Sequence, residues 1–432
     1  MTSTTLLTLL LALLFACDGH LLRNNLNTEL RRTHMLKTRR TTTTTTVQLH
    51  RAAVTKEDKR HFLQMVRQRH LRLHSLIETN NGHLPEAELH KISMTGKRLS
   101  SFYGVVQIGE CTHQHHHDCS YKLLFDTGSS ELWVTGENCT AEYEERCAKH
   151  NLYGEKRSPS LREGRHGAGF LKDHARLEID YVSGKIEGLL ARDAVTIGGM
   201  RVLQQLIGVA DVVDVALLDD VVWDGILGLG FPDASVPGKP FFDNALDQGL
   251  LNRPVFGIAL GEDGGRLTLG GVHAENVPVE YARQCQGFHG PEWCLEILDI
   301  EISHPGSAAK RTGIHAKAII DTGSFLIYGP EAAFRKGAPL HLLSATAAKG
   351  CVPEHDMPAI SFIFAGTEGQ GPARVTLHPK DYMLHFGQDE CILGFGIDDE
   401  EDYWTLGSVF LQAFYTTFDR GPPTGEAKIG FK

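Results

Sequence analysis

The chain has 432 residues, 41% of them hydrophobic and 22% charged, with 45 glycines. That length suggests two or three domains with ample core, and the composition excludes collagen-like, coiled-coil and wholly disordered chains. The formal net charge of −10 is divided unevenly: residues 21–100 carry 16 Lys+Arg against 6 Asp+Glu, and residues 101–432 carry 27 against 46, so a basic arm precedes an acidic body and nucleic-acid binding is disfavoured.

Residues 1–20 contain one apolar run, residues 6–16. It is too short to span a bilayer and has the length of a signal-peptide core. The residues before it carry only the terminal amine, and Leu14-Phe15-Ala16-Cys17 is also similar to a bacterial lipobox. A signal peptide over residues 1–20 is preferred. No later stretch is long and apolar enough for a transmembrane helix. Residues 21–50 read as disordered, with six consecutive threonines at 41–46 and the pairs Arg31-Arg32 and Arg39-Arg40. A helix is predicted next. Thr55-Lys56-Glu57-Asp58 has capping-box spacing, and Phe62, Val66, Leu73 and Ile77 repeat on one face. Arg60, Arg67, Arg69 and Arg72 line the other face, and Asn80-Asn81-Gly82 ends the helix.

From about Ser101 the texture becomes short strands with Gly turns. Strands are predicted at 102–108, 122–125, 132–134, 194–197, 255–260, 267–269, 318–320, 360–364 and 416–418. Helices are predicted only around 240–250 and 330–336. Of nine cysteines, Cys17 falls with the leader and eight remain. They read as the pairs Cys111/Cys119, Cys139/Cys147, Cys285/Cys294 and Cys351/Cys391, which in a secreted chain means four disulfides. Zinc ligation is the rival, disfavoured because no pair has two-residue spacing.

One four-residue turn occurs twice. Asp126-Thr127-Gly128-Ser129 lies between Leu123-Leu124-Phe125 and Leu132-Trp133-Val134. Asp321-Thr322-Gly323-Ser324 lies between Ala318-Ile319-Ile320 and Phe325-Leu326-Ile327, 195 residues later. A single copy would read as a surface turn. Two copies in the same apolar frame suggest two related lobes, each giving one carboxylate. Gly leaves room where a second backbone approaches. Thr offers a short hydroxyl to the opposite turn, and Ser can donate to the carboxylate. Two carboxylates in contact cannot both ionise and share one proton, which suits one to activate water and the other to polarise a carbonyl.

With these residues the chain resembles the pepsin-like aspartic proteases, from about Phe102 to its end. Ile179-Asp180-Tyr181-Val182-Ser183-Gly184 resembles that family's flap hairpin, with Tyr181 as the flap tyrosine and Trp133 as its usual hydrogen-bond partner. Asp224-Gly225-Ile226-Leu227-Gly228-Leu229-Gly230 and Leu406-Gly407 resemble the segments supporting the two Asp residues. Cys139/Cys147 and Cys351/Cys391 match the family's usual disulfides. Three positions depart from the pattern. Val182 stands where a Gly usually follows the flap Tyr, Ser408 where an Asp usually follows the second support Gly, and Ser324 where many members have Thr. Phe231-Pro232, residues 240–244 and residues 377–383 are similar to the maturase-type plasmepsins of apicomplexan parasites.

The resemblance implies a mostly-β, bilobal fold with a cleft between its lobes. It divides the chain into a signal peptide (1–20), a basic propeptide (21–98), an N-terminal lobe (99–275) and a C-terminal lobe (276–432). It implies catalytic Asp126 and Asp321, with Thr127, Gly128, Ser129, Thr322, Gly323 and Ser324 orienting them. Tyr181, Val182, Ser183, Gly184 and Trp133 would close over an extended peptide with hydrophobic residues beside the cut. No metal or cofactor is implied. The expected partners are a peptide or protein substrate and the chain's own basic arm as inhibitor; the expected state is a monomer of the secretory pathway, in an acidic or secretory organelle or outside the cell. Opposite charges on arm and body fit this arrangement. His113, His115, His116 and His117 sit between Cys111 and Cys119; a solvated loop that gains charge in acid is preferred there to a metal site. Asn138-Cys139-Thr140 is the chain's one glycosylation sequon. The alternatives are a silent binding protein on the same scaffold and a metal hydrolase using the His loop. Ser-His-Asp chemistry has no Gly-x-Ser-x-Gly turn to support it.

Overall fold

A computed structural model describes residues 45–51 and 102–432 apart from short internal segments, among them 111–118, 182–183, 344–351 and 386–390. The leader, the predicted arm helix, the His-rich loop, Val182, Ser183, Cys111 and Cys351 lie outside the described residues.

The described body is mostly strand. Its two largest sheets have 14 and 8 strands. At the centre of each, one small motif recurs. The strand Ser120–Asp126 runs parallel to Gly225–Gly228, with Asp126 opposite Gly228. The strand leaving the turn, Leu132–Thr135, pairs antiparallel with the other edge of Gly225–Gly228. In the second sheet, Ala316–Ile320 runs parallel to Trp404–Leu406 and Ile327–Pro330 pairs antiparallel with its other edge. Each D-T-G-S turn therefore bridges two strands held apart by a third. Strands in that central position bury both faces, which is why they read as continuous apolar runs instead of alternating. Leu123, Leu124 and Phe125 are all buried, as are Ala318, Ile319 and Ile320.

The two halves of the chain share a sheet. Val255–Gly261 pairs with Thr416–Asp419, and Gly264–Leu269 pairs with Thr45–Arg51, which also touches Phe102–Ile108. Residues 45–51 thus correct the expectation of disorder across 21–50. The threonine tract ends in Thr-Thr-Val-Gln-Leu, whose β-branched residues suit a strand once an edge is available. Aromatic rings fill the junction of the halves: Phe256 lies 5.7 Å from Trp293 and 4.8 Å from Phe418.

All nine predicted strand segments fall within observed strands. The helix expected around 240–250 is Phe241–Asp247. The one expected at 330–336 shrinks to a single 3-10 turn, Glu331–Ala333. The helix Pro159–Glu163 was not anticipated, although Ser158 caps its start, Pro159 opens it and Gly164 ends it in the left-handed conformation. Disulfides join Cys139 to Cys147 and Cys285 to Cys294. Cys119 and Cys391 are also disulfide-bonded; their predicted partners, Cys111 and Cys351, lie outside the described residues. No helix among the described residues is long and apolar enough to cross a membrane.

Candidate active site

The two motifs bring Asp126 and Asp321 together, each only 1% exposed. Within each turn the carboxylate accepts two local hydrogen bonds. Gly128 N–H donates to Asp126 Oδ1 at 2.8 Å and Ser129 Oγ to Oδ2 at 2.5 Å. Gly323 N–H donates to Asp321 Oδ1 at 2.8 Å and Ser324 Oγ to Oδ2 at 2.5 Å. These bonds fix both carboxyl planes before any substrate arrives.

The turns are then locked to each other. Thr127 N–H donates to Thr322 Oγ1 at 2.9 Å, and Thr322 N–H donates to Thr127 Oγ1 at 3.0 Å. Each hydroxyl in turn donates to the strand leading into the opposite turn, Thr127 to the Ile320 carbonyl and Thr322 to the Phe125 carbonyl. Four buried groups are satisfied by residues almost 200 positions away, so loss of either hydroxyl strands an amide, at about 1–3 kcal/mol. Glycine is obligatory between them. A Cβ on Gly128 would sit 2.8 Å from Asp321 Oδ1, and one on Gly323 would sit 2.8 Å from Asp126 Oδ1.

Burial pushes the Asp321 carboxyl well above the usual carboxylate range; the negative charge of Asp126 and a side-chain hydrogen bond between the two carboxyls push it further. The site therefore holds a proton between two acids where isolated acids would both be ionised.

The support segments act through the backbone. Leu229 N–H donates to the Asp126 carbonyl at 2.6 Å and Gly230 N–H to the Ser129 carbonyl at 2.7 Å. Ser408 N–H donates to the Ser324 carbonyl at 2.7 Å. Gly228 and Gly407 occupy equivalent slots, donating to the carbonyls of Glu131 and Leu326. A Cβ on either would strike backbone within 2.5 Å. Ser408 Oγ is buried with no hydrogen-bond partner among the described residues.

The candidate flap is a hairpin of Arg176–Tyr181 and Gly184–Ile197. Tyr181 pairs with Gly184, three positions on, and Gly184 also pairs with Val215 on the next strand, so the hairpin strand Gly184–Ile197 has a neighbour along its whole length. Trp133 is fully buried on the strand leaving the first turn. Its backbone pairs with Gly208, which in turn pairs with Leu190 of the hairpin.

Sequence reasoning missed three residues here. Trp293 Nε1–H donates to the Leu229 carbonyl at 3.0 Å. Arg420 Nη2 donates to the Gly230 carbonyl at 2.6 Å and to Asp243 at 2.8 Å, under the Phe231 ring. Both brace the loop supporting Asp126. Glu131 lies two residues after the first turn, and its carboxyl is raised by burial and by the charges of Asp233 and Asp126. A charged residue set directly against the apolar run Leu132-Trp133-Val134 was the available signal for Glu131. Trp293 and Arg420 gave none, because their partners are 64 and 190 residues away. Among the described residues, no group of three or more His, Cys, Asp or Glu is placed to hold a metal ion.

The model of the eukaryotic aspartyl protease family matches residues 101–431. The chain belongs to that family. It is 30% identical over 383 residues to Plasmepsin VII of Plasmodium berghei, covering 80% of this chain and 76% of the relative. It is 30% identical over 348 residues to Cathepsin D of Dictyostelium discoideum (77% of this chain, 83% of the relative) and 29% identical over 352 residues to Renin of Rattus norvegicus (76% and 79%). This aspartyl protease thus has the bilobal, mostly-β fold of the pepsin-like enzymes and is an aspartic-type endopeptidase acting on peptides.

Proposed function

We propose that this protease cleaves peptide bonds by water activated between Asp126 and Asp321, and that it is made as a secretory-pathway zymogen whose basic arm restrains it. The observation that carries the reading is the reciprocal Thr127–Thr322 lock, which holds two buried carboxyls in hydrogen-bonding contact. Asp321, pushed up by burial and by its partner, holds the shared proton and gives it to the scissile carbonyl oxygen. Asp126 takes a proton from water as the water oxygen bonds to the carbonyl carbon, giving a neutral gem-diol. The C–N bond then breaks: Asp126 returns its proton to the leaving amine and a diol hydroxyl returns one to Asp321. No covalent enzyme intermediate forms. Ser129 and Ser324 keep both carboxyls oriented throughout.

Supporting the zymogen reading, residues 45–51 of the arm pair with Gly264–Leu269 and touch the first strand of the body. Asn138 is exposed in a turn, open to glycosylation in the secretory pathway. Hydrophobic residues beside the cut, action as a maturase of other secreted proteins and a monomeric state belong to the same proposal. The test is inhibition: a statine-type transition-state mimic is expected to block cleavage of a peptide pool and a chelator to leave it intact. The reverse pattern would favour a metal hydrolase. Binding of peptides with no turnover, after removal of the arm, would favour a silent scaffold. For the arm, a chain lacking residues 21–98 is expected to be active or misfolded; a folded, latent product would refute restraint by the arm.

A further inference from the structure

One tryptophan reaches both carboxyl turns. Trp293 is fully buried, with Phe231, Phe256 and Phe418 packed on its ring. Its Nε1–H donates to the Leu229 carbonyl at 3.0 Å, and Leu229 N–H donates to the Asp126 carbonyl at 2.6 Å. Its own carbonyl accepts from Ile320 N–H at 2.8 Å, and Ile320 leads straight into Asp321. The side chain of one residue therefore holds the support of the first turn, and its backbone holds the strand that delivers the second.

The residue before it is out of keeping with that place. Glu292 is 2% exposed, and neither carboxyl oxygen has a hydrogen-bond partner among the described residues. Gln284 lies beside it but gives both ends of its amide to the backbone: Nε2 donates to the Glu292 carbonyl at 2.9 Å, and Oε1 accepts from Cys294 N–H at 3.1 Å. The Cys285–Cys294 disulfide staples the same corner. The charged side chains around this corner are turned to other partners: Arg420, over the Trp293 ring, to Asp243, and Arg283 of the neighbouring strand to Glu296. Burial raises the Glu292 carboxyl to about 7, and only its own backbone N–H, outside hydrogen-bonding geometry, works against that. In acid the protonated group is tolerated. Once ionised it is a buried charge with no counter-ion, and a position in water becomes lower in free energy. Cys294 is pinned by the staple and by Gln284, so the strain of that exit falls on Trp293, between the two.

We propose that Trp293 is a positioning residue shared by both carboxyls, and that ionisation of Glu292 displaces it, so that the protease loses turnover toward neutral pH while it stays folded. The inference rests on the endopeptidase reading above. The effect adds to the titration of the carboxyl pair itself. Loss of the proton shared by Asp126 and Asp321 stops the reaction directly, whereas loss of the Glu292 proton loosens the hold on both turns. Turnover is therefore expected to fall more steeply with pH than one proton explains, and to return on acidification.

The experiment measures kcat and KM on one cleaved peptide from pH 4.5 to pH 8, with the full-length chain activated in acid. It is repeated for Glu292→Gln, Trp293→Phe, the double variant and Asp126→Ala, with circular dichroism at each pH as the check on folding. Glu292→Gln is expected to match the parent at pH 4.5 and to exceed its kcat about tenfold at pH 8, where a carboxyl titrating at about 7 is ionised about ten to one. Trp293→Phe keeps a ring and loses the donor; its kcat is expected to fall about tenfold at pH 4.5 with KM little changed. Most of the gain from Glu292→Gln is expected to vanish in the double variant. A folded Glu292→Gln with the parent's pH profile, a parent that loses turnover only as it unfolds, or an unchanged kcat in Trp293→Phe would overturn the proposal while leaving the endopeptidase reading intact. Cleavage that persists in Asp126→Ala would overturn the reading of the site, and the proposal with it.

Discussion

The two Asp-Thr-Gly-Ser turns are near copies in backbone and unlike in what surrounds them. Each Asp ends a parallel strand, accepts from the Gly two residues on and the Ser three residues on, and is backed by a glycine that donates to the carbonyl five residues on. Around the first turn, the bracing comes from far away: Trp293 and Arg420 hold the Leu229 and Gly230 carbonyls. Around the second, the support glycine leads straight into the short helix Ser408–Leu411, which braces the turn from its own segment. Charge differs as well. Glu131 beside the first turn is matched by Leu326 beside the second. The shared features are those the chemistry needs. The unshared ones are free to set stability and substrate choice.

The largest predicted effect tests the shared part. Gly128→Ala or Gly323→Ala puts a methyl 2.8 Å from the opposite carboxyl, and kcat is expected to fall about a hundredfold to a thousandfold in either variant. A large loss in only one would break the symmetry that the geometry implies. Next comes a pH effect confined to the second half. Glu292 is 2% exposed, neither carboxyl oxygen has a partner among the described residues, and burial raises its carboxyl to about 7. The folded state keeps this proton more tightly than the unfolded chain does. Stability is therefore greatest below about pH 4.5 and falls as pH rises toward 7, by about 3 kcal/mol from this group. Denaturant unfolding across that window is expected to show a flatter pH slope in Glu292→Gln; an unchanged slope would remove Glu292 from the account.

Thr127→Ala and Thr322→Ala are each expected to cost about 1–3 kcal/mol in unfolding free energy. The double variant should cost less than the sum, because the first loss already breaks the lock. Strict additivity would mean that the two hydroxyls act independently. The smallest effect is expected at Ser408. Its buried hydroxyl lacks a partner among the described residues, so Ser408→Ala should change stability by less than about 1 kcal/mol; a larger loss in a melting experiment would reveal a partner for it.

The difference between the turns also explains what could be read from sequence. The dyad was legible because each turn carries its own local logic, an apolar strand, four polar or small residues and another apolar strand, and because the pattern repeats. The central strands were legible because their burial on both faces leaves uninterrupted runs such as Leu123-Leu124-Phe125. The bracing of the first turn was not, since Arg420 reaches Gly230 only after the last strands fold back across the sheet that joins the halves. The strand at 45–51 was hidden for a related reason. A threonine tract has strand propensity but no apolar alternation, and only the exposed edge at Gly264–Leu269 makes it a strand.

The most direct test of the central claim is the cleavage of a mixed peptide library between pH 3 and 7.5 by the activated full-length chain and by its Asp126→Ala and Asp321→Asn variants. The account predicts cleavage by the parent and its loss, by at least about a hundredfold, in both folded variants. Cleavage that survives in either variant would contradict it.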